Sequence, residues 1–210
     1  MGSIGSTNIG ESKQLLAEEV FHHIGRQIID GTLAEGERIR DVDVAEELHV
    51  SRTPVREALQ RLERLGMVTM YPSRYTEVTA VTPETMAQSL EFAGYQAGIA
   101  ARLAVPRLTA AQREHVITLV AAMHASLDDL AMTSGTRWAV FSYLGSHSGN
   151  EQHRTLIDDA SMVLFRNLRD WVVPASDRAR MGQLYEDFRD AVHDADGDSA
   201  ERLVRAMYYV

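Results

Sequence analysis

The sequence contains no cysteine and a single lysine, Lys13, among its 210 residues. The absence of cysteine excludes a disulfide framework and any thiolate-ligated metal site, and it fits a reducing cytoplasm. No run of 18 apolar residues occurs, so a membrane-spanning segment is not expected. Residues 1–12 lack the apolar core of a signal peptide, and we expect them to form a flexible tail. These absences predict a cytoplasmic protein that does not enter a membrane.

The charge of the chain is negative overall but unevenly distributed. The formal net charge is −9, which taken alone argues against a nucleic-acid partner. Between His49 and Thr76, however, five arginines stand against only Glu57 and Glu63. An acidic chain with one basic segment suits a protein that touches DNA at one place without adhering to it everywhere. Hydrophobic residues make up 45% of the chain, which is ample for a buried core.

Residues 39–67 predict two short helices joined by a tight turn. Asp41 or Asp43 is placed to cap the first helix, Ser51 is placed to cap the second, and Gly66 ends it. The predicted buried positions are Val44, Ala45 and Leu48 in the first helix and Val55, Leu59, Leu62 and Leu65 in the second. A helix-turn-helix places the start of its second helix in the DNA major groove. The alternative, a solvated arginine-rich amphipathic helix, is open on this stretch alone.

A β-hairpin is predicted directly after the two helices. Residues 68–71 and 77–81 are rich in β-branched and apolar side chains, and residues 72–75 separate them. Arg74 lies near the tip of this hairpin. The order helix, turn, helix, hairpin is typical of a winged helix, and an arginine at the tip is placed to reach phosphate or the minor groove.

The run GERIRDVDVAEELHVSRTPVREALQRLERLGMV resembles the DNA-binding domain of the GntR family of bacterial transcription regulators. The resemblance covers residues 13–81, and SRTPVREAL is its most specific part. It implies DNA contacts from Arg40, Ser51, Arg52, Thr53, Arg56 and Arg74. The chain departs from the family pattern at Tyr75, where glycine is usual at the tip of the wing.

The remainder of the chain shows helical periodicity and no strand pattern. The predicted helices cover residues 84–105, 109–132, 136–147, 150–171, 176–195 and 198–208. Six helices predict an antiparallel bundle, joined to the first domain by a linker at residues 81–83. We therefore predict a mainly α protein, with a winged helix-turn-helix domain at residues 13–81 and an all-helical domain at residues 82–210.

The helical domain resembles the FCD domain, the ligand-sensing domain of the FadR subfamily of GntR regulators. The resemblance depends on short pieces, which include AARLA at residues 100–104 and SGN at residues 148–150. It implies a divalent metal held by an aspartate and three histidines. The matching positions here are Arg137, Phe141, Asp187 and, depending on a short gap, Met207 or Tyr209. Because none of these is the usual ligand, we expect neither a metal nor another cofactor.

The same resemblance indicates where an effector binds. The implied effector-contacting residues are Tyr95, Arg137, Phe141, Asp187 and His193. We expect an apolar or aromatic organic effector, or none. Tyr95 and Phe141 are equally compatible with an ordinary core position.

No catalytic motif supports an enzyme: G-x-S-x-G, H-E-x-x-H, the P-loop and G-x-G-x-x-G are all absent. The sequence predicts a ligand-responsive repressor that binds an inverted-repeat operator in double-stranded DNA as a homodimer. Two alternatives remain open. In the first, the protein is a constitutive DNA binder whose helical domain serves only for dimerisation. In the second, the acidic chain has lost DNA binding and interacts with another protein.

Overall fold

The computed structural model describes residues 7–72 and 74–210 of the chain. They divide between two compact units, Met1–Val81 and Thr82–Val210. Both units are mainly helical, and the first also contains a small sheet, which confirms the predicted fold class. The first helix begins at Thr7, so residues 7–12 are helical rather than part of a flexible tail, while residues 1–6 of that predicted tail lie outside the described residues.

The first unit is a winged helix-turn-helix, as predicted. Its elements are α1 (Thr7–Asp30), β1 (Arg38–Ile39), α2 (Asp41–Glu47), α3 (Arg52–Arg64), β2 (Val68–Tyr71) and β3 (Tyr75–Val78). The strands form an antiparallel sheet in the order β1-β3-β2. Strand β1 was not predicted, because a two-residue strand is too short to show alternation.

Helix α3 is held against the rest of this unit by its apolar face. Val55, Leu59 and Leu62 are at most 1% exposed, whereas Leu65, predicted to be buried, is only half-buried at the end of the helix. Each fully buried aliphatic side chain contributes about 1.5–3 kcal/mol relative to an exposed one. Arg61 adds a polar tie to α1, because it donates to the Glu18 carboxylate and lies over the ring of Phe21. The face of α3 opposite this stripe is therefore presented to solvent in a fixed orientation.

Backbone conformation sets the ends of these helices. His49 adopts φ +54 in the turn, and the next amide, that of Val50, donates to the Ala45 carbonyl at 3.0 Å. Gly66 ends α3 at φ +73, as predicted, since glycine adopts this conformation without a steric penalty. Ser51 occupies the N-cap position of α3, as predicted, but its side chain makes no capping hydrogen bond. Arg40, rather than Asp41 or Asp43, occupies the N-cap position of α2.

The second unit is a bundle of six α-helices within the described residues. They are α4 (Pro83–Ala104), α5 (Ala110–Ala125), α6 (Leu130–Ser146), α7 (Glu151–Leu168), α8 (Arg178–His193) and α9 (Gly197–Met207), with short 3-10 turns at Val105–Arg107 and Ala175–Asp177. Thr82 caps α4 through a reciprocal hydrogen-bond pair with Thr85. Small residues of α4, including Gly94, Ala97 and Ala101, let α9 and the chain end approach closely. None of the described helices is both long and apolar enough to pass through a bilayer.

The boundary between α5 and α6 differs from the prediction. Ser134 and Gly135 were predicted to separate two helices, but both lie inside α6, and the junction between α5 and α6 falls at residues 126–129. Side-chain hydrogen bonds explain the earlier break. The Thr133 hydroxyl donates to the carbonyls of Ser126 and Asp129 at 2.7 and 2.6 Å, and the hydroxyls of Ser126 and Thr136 are 2.7 Å apart. These tertiary contacts fix the junction, whereas single-residue preferences favoured a later one.

Candidate functional site

A groove on the first unit brings together most of the residues expected to contact DNA. It runs between α3 and the β2–β3 wing, with the start of α2 along one side. Arg40, Arg52, Arg56 and Arg74 all line it, and all four side chains are exposed. The remaining two expected contacts, Ser51 and Thr53, are exposed at the start of α3. The described fold thus gathers guanidinium groups from three segments at one surface.

Asp41 orients the two arginines of α3. Both of its carboxylate oxygens accept hydrogen bonds from Nη2 of Arg52, at 3.1 and 3.0 Å, and Oδ2 lies 3.6 Å from Nε of Arg56. Arg52 and Arg56 remain 59% and 63% exposed, so each pair contributes about 1 kcal/mol or less. Such pairs set side-chain orientation and still release the arginines to a stronger partner such as DNA.

The sequence did not predict that Asp41 contacts the arginines of α3. It indicated only that Asp41 could cap a helix. The contact joins residues 11 apart across the helix-turn-helix, and no local spacing predicts it. The signal available was a carboxylate at the start of α2 followed by two arginines one turn apart in α3. Only the packing angle of the two helices turns that pattern into a contact.

The wing is stabilised by stacked side chains. The Arg38 guanidinium lies over the ring of Tyr75 at 4.0 Å, and the rings of Tyr71 and Tyr75 are 4.8 Å apart. The Arg74 amide donates to the Tyr71 carbonyl at 3.0 Å across the turn, within which Ser73 lies outside the described residues. Glu63 of α3 accepts from the Met70 amide at 2.8 Å and ties the wing to the helix. Tyr75, which departs from the family pattern, therefore has a structural role at the base of the wing tip.

A second candidate site is an apolar cavity inside the helical unit. It has a volume of about 210 Å³ and lies among α4, α6 and α7, with the end of α9 on one side. Of the expected effector contacts, Arg137 and Phe141 line it.

The other three expected effector contacts do not line this cavity. Tyr95 packs under Arg205, whose guanidinium carbon is 5.2 Å from the ring centre. Asp187 is exposed and accepts from Gln183 at 2.8 Å. His193 is exposed and lies beside Asp194 at 2.9 Å. The structure thus brings together only two of the five residues.

Arg137 is the unusual group in this cavity. It is only 6% exposed, and its guanidinium carbon lies over the rings of Trp171 and Tyr208, at 4.3 and 4.4 Å from their centres. Neither Nη1 nor Nη2 has a hydrogen-bond partner among the described residues. The buried Tyr185 hydroxyl also lacks one; burial raises the pKa of Tyr185, while the charge of Arg137 acts in the opposite direction. The cavity therefore contains a desolvated positive charge that the described side chains do not neutralise.

A divalent metal does not fit the residues of this unit. The positions that match the usual FCD ligands hold Arg137, Phe141, Asp187 and Met207 or Tyr209. Of these residues, only Asp187 has a carboxylate, and it is exposed. Across residues 7–72 and 74–210, no three histidine, aspartate or glutamate side chains converge on one point. A cationic arginine at the cavity wall further disfavours a second cation there.

Family models match both units of the chain. The model described as "Bacterial regulatory proteins, gntR family" matches residues 16–78, and the FCD domain model matches residues 97–209. The chain therefore belongs to the GntR family, in its FadR-like branch with an FCD domain. It is a transcriptional regulator of that family, and proteins of this family are generally not enzymes.

Individual relatives agree with this assignment. An uncharacterized HTH-type transcriptional regulator of Mycobacterium tuberculosis is 25% identical over 193 residues, which span 87% of this chain and 74% of the relative. A probable D-xylose utilization operon transcriptional repressor of Paenarthrobacter nicotinovorans is 30% identical over 93 residues, or 44% of this chain and 41% of the relative.

Solved structures share the fold. Escherichia coli McbR/YncC aligns with a TM-score of 0.66 at 20% identity, over 92% of this chain and 93% of that one. A putative GntR regulator from Rhodococcus sp. RHA1 aligns with a TM-score of 0.64 at 19% identity, over the same shares of the two chains. At these identities the likeness supports the fold, and the function of this chain depends on its own residues.

Proposed function

We propose that the protein is a cytoplasmic, ligand-responsive repressor that binds an inverted-repeat operator as a homodimer. The observation that carries this proposal is the groove of the first unit, which four exposed arginines line: Arg40, Arg52, Arg56 and Arg74. Guanidinium groups suit this task because their planar fork of N–H donors matches phosphate oxygens and the major-groove edge of guanine.

The position of each arginine suggests its role. Arg52 and Arg56 lie on the first two turns of α3, the part of a recognition helix that enters the major groove, and read base edges there. Arg40 and Arg74 flank them and bind phosphate on either side. The free N–H groups at the start of α3, together with the hydroxyls of Ser51 and Thr53, bind a further phosphate.

We infer dimerisation from the small stretch of DNA that one winged-helix domain contacts. A single winged helix reaches one half-site, whereas two linked copies make the second contact effectively intramolecular and multiply the affinity. The operator is then an inverted repeat whose half-site centres lie roughly 34 Å apart, or a multiple of that.

Ligand response is supported by the cavity of the second unit, which is large enough for a small organic molecule. A ligand that binds unequally to two states of the dimer changes operator affinity by its coupling free energy, typically about 1–3 kcal/mol. The repressor direction is supported by the Paenarthrobacter relative, whose name describes a repressor.

The proposal is tested by selecting bound duplexes from a random DNA library and measuring their affinity at several salt concentrations. We expect an inverted repeat bound by two chains, with a steep linear fall of log affinity against log salt concentration. The double substitution Arg52→Ala with Arg56→Ala should abolish the sequence preference.

Arg64→Ala is the matched control, since Arg64 is exposed on the same helix but does not line the groove. Recovery of no enriched sequence, or equal losses for the double variant and the control, would refute the assignment of the interface. Enrichment of the repeat with no small molecule able to release it would leave a constitutive DNA binder.

A further inference from the structure

We propose that the cavity of the helical unit binds an organic monocarboxylate with an apolar or aromatic body, and that Arg137 is its anchor. This inference rests on the proposed ligand-responsive function and names the class of ligand.

The first argument is the charge of Arg137. Its side chain is 94% removed from solvent, yet it has no carboxylate within ion-pair distance among the described residues. The rings of Trp171 and Tyr208 compensate partly, because each presents its electron-rich face to the guanidinium. Aromatic faces do not accept the N–H bonds in the guanidinium plane, so the cost of burying these donors is not met within the unit.

The second argument is geometric. Arg137 lines the cavity, and its Nη1 and Nη2 atoms are both buried without an acceptor among the described residues. In a guanidinium group these two nitrogens carry parallel N–H bonds along one edge, and a carboxylate binds such an edge through two hydrogen bonds. The guanidinium lies over the rings of both Trp171 and Tyr208, and these contacts limit its motion. A site prepared in this way loses little side-chain freedom when the anion binds.

The third argument is the remaining lining of the cavity. Its walls are mainly apolar and aromatic, with Trp138, Phe141, Phe165 and Trp171 among them. A cavity of about 150 Å³ is known to hold benzene, so a volume of about 210 Å³ accommodates one ring or a short alkyl chain with its carboxylate.

The charged groups at the cavity limit the ligand to one negative charge. Besides Arg137, only Arg154 and Asp158 among the described lining residues are charged, and both are exposed. Arg154 is engaged by Glu151, and Asp158 adds negative charge at the same edge. A second carboxylate on the ligand would therefore have no free cation to meet, so we expect dicarboxylates to bind more weakly than monocarboxylates.

The experiment uses the two tryptophans as reporters. The chain contains only Trp138 and Trp171, and both line the cavity, so their fluorescence reports on its occupancy directly. The full-length protein is titrated with benzoate, phenylacetate and hexanoate, and with the corresponding neutral amides. We expect saturable changes with at least one acid, and binding of its amide weaker by about tenfold or more, because the charge-assisted pair is lost.

Three variants separate the anchor from general packing. Arg137→Met should abolish acid binding while leaving the melting temperature of the free protein unchanged or higher, since an uncompensated buried charge is removed. Arg137→Lys retains the charge without the paired N–H edge and should show intermediate affinity. Arg202 lies on the exposed face of α9, where it donates to the Ser199 hydroxyl, and Arg202→Met should bind the acid as the unsubstituted protein does.

The inference is overturned if the amides bind as tightly as the acids, if Arg137→Met retains acid binding, or if none of the three acids binds. A large fall in the melting temperature of Arg137→Met alone would also contradict it, because the guanidinium would then be satisfied within the fold. Operator binding by the free protein is measured in parallel and should be the same for Arg137→Met. If the unsubstituted protein binds an operator but none of the three acids, only this inference is overturned. If it binds an acid but no operator can be found, the proposed function is overturned.

Discussion

The substitution Asp41→Asn tests whether one carboxylate tunes how the recognition helix reads DNA. Asp41 holds Arg52 through two hydrogen bonds and lies 3.6 Å from Arg56, while remaining 22% exposed. Asparagine has nearly the same shape and accepts one hydrogen bond, but it carries no charge. The substitution therefore raises the charge of the groove by one unit and loosens both arginines.

The expected magnitude follows from these two effects. One added positive charge near a phosphate favours every DNA sequence by about 1 kcal/mol at contact distance in water. Loss of the fixed arginine orientation costs about 0.5–1.5 kcal/mol for each side chain that must then be ordered, and this penalty applies only where bases are read. For the two arginines this penalty totals about 1–3 kcal/mol, so operator affinity stays the same or falls, whereas non-specific binding tightens about fivefold. The ratio of specific to non-specific affinity should therefore fall by about fivefold or more.

The assay is fluorescence anisotropy with the selected operator and a scrambled duplex of the same length, at several salt concentrations. Asp43→Asn is the matched control, because it removes the same charge from the same helix but pairs with Arg40 at 3.5 Å rather than with α3. It should tighten both duplexes equally and leave the affinity ratio unchanged. An unchanged or higher ratio for Asp41→Asn would show that Asp41 does not orient the reading side chains.

Three further outcomes are expected for stability in the helical unit. Burial lowers the pKa of His153 below 6.5, although the Gln96 backbone acts in the opposite direction. Because the unfolded chain takes up this proton first as the pH falls, the protein should lose stability below about pH 6.5, and His153→Leu should reduce that loss in denaturant titrations at pH 7.5 and 5.5. Gly94→Ala would place a Cβ 2.5 Å from that of Tyr208 and should cost about 1–3 kcal/mol in urea unfolding. Gly135→Ala, with no atom within 4 Å of the added Cβ in α6, should instead stabilise by about 0.5–1 kcal/mol, and a loss of stability would place this glycine in a packed site.

Local chemistry made most of the first unit predictable. The buried stripe of α3, the stop at Gly66 and the hairpin after it are each encoded within a few neighbouring residues. Asp41 illustrates the limit, since its contact with Arg52 depends on how two helices cross. Propensity describes single segments, whereas an ion pair across a turn is a property of their packing.

In the helical unit, too, local patterns predicted the elements but not the contacts between them. The number and class of its helices follow from their periodicity, but the α5–α6 junction was misplaced because Thr133 bonds backward to Ser126. Arg137 was expected near an effector, and it does line the cavity. The aromatic faces that enclose it come from Trp171 and Tyr208, which are far apart in the sequence, so no spacing rule predicted the buried guanidinium.

The most direct test of the DNA-reading interface is guanine N7 methylation interference on the selected operator. A methyl group at N7 blocks the acceptor that an arginine uses in the major groove, so binding should be lost when symmetric guanines in both half-sites are methylated. For Arg52→Ala, one symmetric pair of these positions should become insensitive to methylation, and for Arg64→Ala the pattern should match that of the unsubstituted protein. Identical interference patterns for all three proteins would contradict the assignment of the start of α3 as the segment that reads DNA.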